Sequence, residues 1–355
     1  MTDGSGARQE RGVVHDAASD PVISEQDLSI IDALQTAPRA PWSRVASALD
    51  VDATTAARRW ERMRADHAAW LTAYPSARVV TVAYIEVRCR PRSVEAVSAA
   101  TAQLPWVFCV DETAGEFDLL ISAGAADLTT LGRWVREGLG GLRGVRSFRM
   151  RVGITLFGEG RDWRMRVLPP AQRARLVTPR PSSRTAFVAS GLHRLSAADQ
   201  ALLTALHADA RTSFAALGSA IGASEHTARR RLERMQRNGD IVLRCDFAYT
   251  LAGLSTLVIY SMAAPQGRLS DIGAALAAVE QVRLCVAVTG RHGLMVHALL
   301  PGLTGIEPFE AMLADRFPAL EIRDRAVVLH SPKRMGWLLD DRGRATGRIP
   351  LSPPT

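Results

Sequence analysis

Leu195, Ala198, Leu202, Leu203 and Leu206 recur at helical spacing, Leu217 and Ile221 continue the pattern, and Ala228, Leu232 and Met235 resume it after a break at Gly222. Three short helices with two tight connections are predicted. Ser224 stands where an N-cap hydroxyl accepts from first-turn amides, and Asn238-Gly239 supplies a residue tolerant of positive φ to end the third helix. The pattern is already present upstream. Residues 24–63 align without a gap to residues 196–235 at a constant shift of 172 positions, and fourteen of the forty pairs are identical. Asp27 with Asp199, Arg39 with Arg211, Thr55 with Thr227, Arg58 with Arg230 and Arg62 with Arg234 are among them. A period this long predicts a duplicated domain pair and not a solenoid.

Beyond each trihelical segment the periodicity changes. Residues 79–87 read as a strand, 94–104 as a helix, 106–111 and 117–123 as strands, 128–139 as a helix and 145–157 as a last strand. The order is βαββαβ, a ferredoxin-like split unit. It is repeated by 255–263, 269–279, 282–288, 294–300, 306–316 and 322–330. Helices cover one face of such a sheet, and the second copy in the chain is expected to cover the other. The predicted class is α+β: two copies of a helix-turn-helix (winged-helix-like) domain, each followed by a ferredoxin-like βαββαβ effector domain. Its expected boundaries are a disordered tail (1–22), helix-turn-helix 1 (23–75), effector domain 1 (78–158), a basic Pro/Arg-rich linker (159–193), helix-turn-helix 2 (194–247), effector domain 2 (252–340) and a tail (341–355).

Charge sharpens this picture. The chain of 355 residues carries a formal net charge of +8, which invites a polyanionic partner. Most of the surplus lies between Gly158 and Arg194, the linker and its edge, where Arg161, Arg164, Arg166, Arg173, Arg175, Arg180, Arg184 and Arg194 face only Glu159 and Asp162. Its prolines and SSRT stretch disfavour a packed core. Lys333 is the only lysine, so the arginine bias also reflects general composition. Neither a membrane-length apolar run nor an apolar signal core is present, and a cytoplasmic, nucleoid-associated protein without membrane contact is expected. Cys89, Cys109, Cys245 and Cys285 lie apart among apolar neighbours, as buried reduced thiols do.

A helix-turn-helix lays the first turns of its last helix in the major groove, where arginines meet phosphates or the O6/N7 edge of guanine. Candidate contacts to double-stranded DNA are Ser224, Glu225, His226, Thr227, Arg229, Arg230, Arg231 and Arg234 in the second copy. In the first they are Thr54, Thr55, Arg58, Arg59 and Arg62. A solvated helix face laced with i,i+3 and i,i+4 salt bridges is the plainer alternative for either helix alone; two copies on a basic chain favour DNA.

The residues LSAADQALLTALHADARTSFAALGSAIGASEHTARRRLERMQRNGDI resemble the DNA-binding domain of the leucine-responsive/asparagine (Lrp/AsnC, feast/famine) regulators. CVAVTGRHGLMV and TAGEFDLLI resemble the turn of that family's effector domain. The resemblance, in tandem-duplicated form, implies a transcriptional regulator that senses a small molecule, often an amino acid, at interfaces between its ferredoxin-like domains. It also implies an intrachain pseudo-dimer and higher homo-oligomers. By analogy Gly115, Glu116 and Asp118, with Thr289, Gly290, Arg291 and Gly293, are effector-turn candidates, Asp118 being placed to pair an α-amino group. Equally, Gly115 and Gly290 simply make tight turns.

The copies differ. Asp66-His67 replaces Asn238-Gly239, Trp60 replaces Leu232, Ala57 replaces Arg229, and Gly293 stands where the first copy has Asp118. The second reading head is therefore expected to dominate DNA binding and the first turn to dominate sensing. An enzyme is not expected. Gly138 to Gly144 lies after a helix and before a strand, the reverse of the phosphate-binding order, and no catalytic or metal-ligand spacing involves the eight histidines. No cofactor and no metal are predicted. The remaining alternative is a ligand-sensing protein-interaction module that has lost DNA binding.

Overall fold

The computed structural model describes residues 23–176, 187–188 and 195–351. The expected N-terminal tail lies outside them. The first trihelical unit is α1 (Glu25–Thr36), α2 (Trp42–Leu49) and α3 (Ala53–Ala65), followed by strand β1 (Ala69–Pro75). Next come β2 (Thr81–Cys89), α4 (Val94–Ala102), β3 (Val107–Ala114), β4 (Leu119–Ala125), α5 (Leu128–Trp134) and β5 (Val145–Gly158). The connector contributes α6 (Pro170–Leu176) and β6 (Phe187–Val188). The second copy runs α7 (Ala197–Ala208), α8 (Phe214–Ala220), α9 (Glu225–Asn238), β7 (Ile241–Phe247), β8 (Thr256–Ala263), α10 (Leu269–Ala277), β9 (Val282–Val288), β10 (Leu294–Leu300), α11 (Ile306–Arg316) and β11 (Glu321–Arg334). A hairpin of β12 (Trp337–Leu339) and β13 (Ala345–Arg348) follows. No helix among the described residues is long and apolar enough to cross a membrane.

The helix ends follow local chemistry. Ser24 and Ser196 each form a capping box with the aspartate three residues on, and Ser224 accepts from the Thr227 amide. Gly239 closes α9 at φ 71°, and His67, its equivalent, takes the same left-handed conformation at φ 55°. In both copies the next amide reaches back to a methionine carbonyl, Ala68 to Met63 and Asp240 to Met235. The lost Asn-Gly therefore leaves the closure of α3 intact.

Each half keeps its split-unit strand order, β3-β4-β2-β5 and β9-β10-β8-β11, but the halves do not stand as two separate sheets face to face. That expectation is corrected. β5 pairs with β9 and β11 pairs with both β3 and β8, closing eight strands into one barrel. At 14 residues each, β5 and β11 are long enough to reach beyond their own half and satisfy the other's edge. Inside, Tyr84, Leu120, Ile259, Val286, Met295 and Ala326 pack together, while the helices cover the outside over two further cores.

Two more expectations change. The connector does not stay out of a core: Trp163, Leu168 and Leu176 are buried with α1 and α2, and the Leu168 amide donates to Asp32 at 2.8 Å. Apolar residues spaced between the arginines outweigh the prolines here. The C-terminal stretch is likewise no simple tail, since β13 pairs with β12 and Leu351 is buried beside Tyr74 and Val242.

Candidate nucleic-acid interface and effector turns

The two trihelical units are held as a pair by contacts that obey the repeat. Arg39 donates to the carbonyls of Ala210 and Thr212, and Arg211 donates to those of Pro38 and Ala40. Arg39 lies over the Phe214 ring at 4.6 Å and Arg211 over the Trp42 ring at 4.4 Å. Every partner in one set is its counterpart in the other displaced by 172 positions, so the contact is isologous within a single chain. β1 and β7 pair antiparallel with the same symmetry, Ala69 opposite Phe247, Pro75 opposite Ile241, and Thr72 opposite its own equivalent, Arg244. The identity of Arg39 and Arg211 thus encodes the pseudo-two-fold contact.

A second identity encodes the internal bracing of each unit. Asp27 is fully buried at the start of α1 and meets Arg59 at 3.1 Å and Arg62 at 2.7 Å. Asp199 meets Arg231 and Arg234, each at 2.8 Å. Burial alone would raise both carboxyls, but hydrogen bonds from the capping serines and the arginines hold them below the usual range. Four of the candidate DNA contacts are therefore tied to a brace. Asp199→Ala is expected to cost about 2–3 kcal/mol, because it removes a cap and strands two guanidinium groups, with the loss discounted for their partial exposure. Urea unfolding of the variant checks this.

What remains on the outer face differs between the units. Arg58 and Arg230 are exposed and have no ion-pair partner among the described residues. Arg229 is exposed, bridged to Glu225 at 3.1 Å and laid over Phe214 at 4.1 Å; its equivalent is Ala57. His226 and Thr227 are exposed, as is Thr54, while Thr55 is half-buried. Ser224 and Asp52 occupy equivalent N-cap positions, and Asp52 spends a carboxylate oxygen on the amides of Thr54 and Thr55. The first recognition helix thus begins with a negative charge where the second begins with a neutral hydroxyl.

The candidate effector turns come to the seams that close the barrel. Gly115 lies against Ala326 of β11, where a Cβ would stand 2.9 Å from the alanine side chain, so a side chain at 115 would push the seam apart. Thr289 exchanges two hydrogen bonds with Val152 of β5, each 2.9 Å. Gly290 takes φ 109°, Arg291 is exposed, and Gly293 approaches Leu269. Asp118 accepts from the Cys89 amide at 2.6 Å, and Glu116 sits beside Arg88 at 3.8 Å. One Asp118 oxygen is thereby committed to holding the end of β2.

Sequence reasoning missed the polar core at this end. Glu86 and Arg151, both buried, pair at 2.7 Å, and Arg151 donates to Ser261 at 3.1 Å. Burial raises the Glu86 carboxyl, against the pull of Arg151 and Arg149. Burial, then the charges of Arg151, Arg323 and Arg291, lower the imidazole of His292 in the second turn. A glutamate alternating with apolar residues in VAYIEVRC was the available signal.

The family model of the AsnC-type helix-turn-helix domain matches residues 23–64 and again 195–236, and that of the Lrp/AsnC ligand binding domain matches residues 82–155. The chain carries the AsnC-type helix-turn-helix domain twice and the Lrp/AsnC ligand binding domain once. Among solved structures, the siroheme decarboxylase NirDL is similar over 88% of this chain and 93% of its own, at 13% identity and a TM-score of 0.58. Escherichia coli AsnC is similar over 39% of this chain and 95% of its own, at 20% identity and a TM-score of 0.36. A Neisseria meningitidis transcriptional regulator, NMB0573, solved with L-Met, is similar over 36% of this chain and 88% of its own, at 21% identity and a TM-score of 0.33. No curated protein matches. At its low identity, the NirDL likeness shows a shared fold and carries no activity across.

Proposed function

We propose that this chain is a sequence-specific DNA-binding regulator whose two reading heads act as one fixed pair and whose barrel responds to a small molecule, an amino acid in this reading. The isologous clasp of Arg39 and Arg211 carries the proposal. A pair of helix-turn-helix units locked by a pseudo-two-fold suits two half-sites related by inversion. Because the heads differ, the operator is an imperfect inverted repeat, and the half under α9 binds more tightly. Arg229 and Arg230 supply its cations, while Asp52 opposes phosphate approach at the other head.

DNase footprinting and gel shifts on the DNA upstream of the coding sequence, across a salt series, test this. Arg230→Ala is expected to weaken binding by about 1–3 kcal/mol and Arg58→Ala by less. Loss of a phosphate contact lowers the salt slope by about 1, and loss of a base contact relaxes preference at one position. Equal effects of the two substitutions would remove the asymmetry; a complex insensitive to salt would remove the DNA reading itself.

A further inference from the structure

Two carboxylates stand at the turn that leads into the first recognition helix, and none stands at the equivalent turn of the second unit. Asp50 ends α2 in the left-handed conformation at φ 54°, and Asp52 caps α3. Their equivalents, 172 positions on, are Gly222 at φ 63° and Ser224. The amides of Thr55 and Thr54 hold the Asp52 carboxyl below its usual range, so it stays charged. In the second unit the first acidic residue is Glu225, and Arg229 of the same helix answers it at 3.1 Å. In a helix-turn-helix one helix crosses the DNA backbone and the next enters the groove, so the turn between them lies beside phosphates. Paired carboxylates there repel the duplex.

The connector brings cations to this turn. Leu168 and Leu176 are buried in the core of the first unit, and α6, which ends at Leu176, lies against α1 and α2. Arg175 donates from Nη1 to the Ser47 carbonyl and to Asp50 Oδ1, both at 3.0 Å. Arg44 of α2 in turn donates from Nε to the Arg175 carbonyl at 3.2 Å. Both arginines are exposed, and Nε and Nη2 of Arg175 donate to nothing among the described residues. With half or more of each side chain exposed, the Arg175–Asp50 pair contributes only about 0–1 kcal/mol, and the two leucines anchor α6. Further cations crowd behind it: burial first, then the charges of Arg173 and Arg166, lower the Arg164 guanidinium against the pull of Asp32 and Asp162. The counterpart of α2 differs, for α8 packs on α7 and α9 and carries Ala216 in the place of Arg44.

We propose that α6 is a third element of the first reading head, and that Arg175 holds a DNA backbone phosphate at the turn between α2 and α3. Asp50 and the Ser47 carbonyl fix one end of the guanidinium, and the outer edge, Nε with Nη2, presents two parallel donors to a phosphate. Such a contact positions the duplex without reading its sequence. The first head thereby grips the backbone where the second relies on Arg229 and Arg230. This contact rests on the DNA-binding reading above and extends it beyond the helix-turn-helix.

Gel shifts of the full chain on the upstream DNA across a salt series test this, with Arg175→Gln and an Asp50→Asn, Arg175→Gln double variant. Asparagine suits the left-handed position of Asp50, and loss of an exposed pair leaves the melting temperature within a few degrees of wild type. Arg175→Gln is expected to bind about tenfold more weakly and to lower the slope of log affinity against log salt by about 0.9, with base preferences unchanged. The double variant separates contact from neutralisation. If Arg175 holds a phosphate, removing Asp50 as well leaves binding weak and the slope low. Wild-type affinity in the double variant, or in Arg175→Gln itself, overturns the contact while the DNA reading stands. Absent or salt-insensitive binding by the wild type overturns the DNA reading and the contact with it, so the two failures are distinguishable.

Discussion

Replacement of Asp246 by alanine is expected to cost about 3–5 kcal/mol, because it breaks a buried ion-pair cluster. Asp246 lies on β7, buried, with Arg244 at 2.8 Å, Arg334 at 3.6 Å and Arg283 at 3.9 Å, and its Oδ1 accepts from the Tyr249 hydroxyl at 2.9 Å. Arg334 also stacks on the Tyr249 ring at 3.9 Å and donates to the Phe247 carbonyl. Burial would raise the carboxyl, but the three arginines hold it below its usual range. Alanine leaves three guanidinium groups with little water and only the weaker pull of Asp111 and Glu159 to offset them. Arg244 belongs to the paired wing strands, whereas Arg283 and Arg334 belong to β9 and β11 of the barrel. The cluster is thus the bolt between the DNA-binding pair and the barrel. Chemical denaturation measures the loss; a change under 1 kcal/mol would mean that the charges are solvated and the bolt is not electrostatic.

The second large effect is a pH dependence centred on Lys333. The only lysine of the chain is fully buried where β11 meets β3, opposite Val110, with Nζ donating to the Leu104 carbonyl at 2.9 Å. Burial lowers its pKa from 10.5 to about 7. The folded chain therefore binds fewer protons than the unfolded chain between about pH 7 and 10.5, and stability rises with pH across that window. The slope from this group climbs from about half of 1.4 kcal/mol per pH unit at pH 7 to nearly all of it, which gives roughly 2 kcal/mol from pH 7 to 9. Above pH 9 the buried thiols, held up by desolvation, contribute with the opposite sign. Below pH 6.5, His207 and His297, lowered by burial to about 4 and about 3, extend the same rise at the acid end. Lys333→Met is expected to flatten the pH 7–9 segment and to raise stability at pH 7 by about 2–4 kcal/mol. Urea midpoints at pH 7, 8 and 9 for both proteins decide the point; parallel curves for the two would refute it.

Helical and strand periodicity made most of the elements legible, because each is amphipathic in its own period and the repeat supplies every pattern twice. β1 and β7 were not resolved from the helix-turn-helix segments, since AWLTAYP and IVLRCDF acquire meaning as strands only by pairing with each other. Closure of the barrel was hidden for the same reason: edge pairing between β5 and β9 depends on partners more than a hundred residues away. Identity between the copies was informative but ambiguous. Arg39 with Arg211, and Arg62 with Arg234, match because symmetry and bracing require them, whereas Arg58 and Arg230 match while exposed and outside both contacts.

The most direct test of the central claim is a footprint of the wild-type chain and of an Arg39→Ala, Arg211→Ala double variant on the same upstream DNA at two salt concentrations. A fixed pair of heads predicts one salt-sensitive footprint spanning two unequal, inverted half-sites for the wild type. For the double variant it predicts weaker protection that survives chiefly at the half-site read by α9. Identical footprints for the two proteins, or sequence-blind protection by the wild type, would contradict a clasped pair of reading heads.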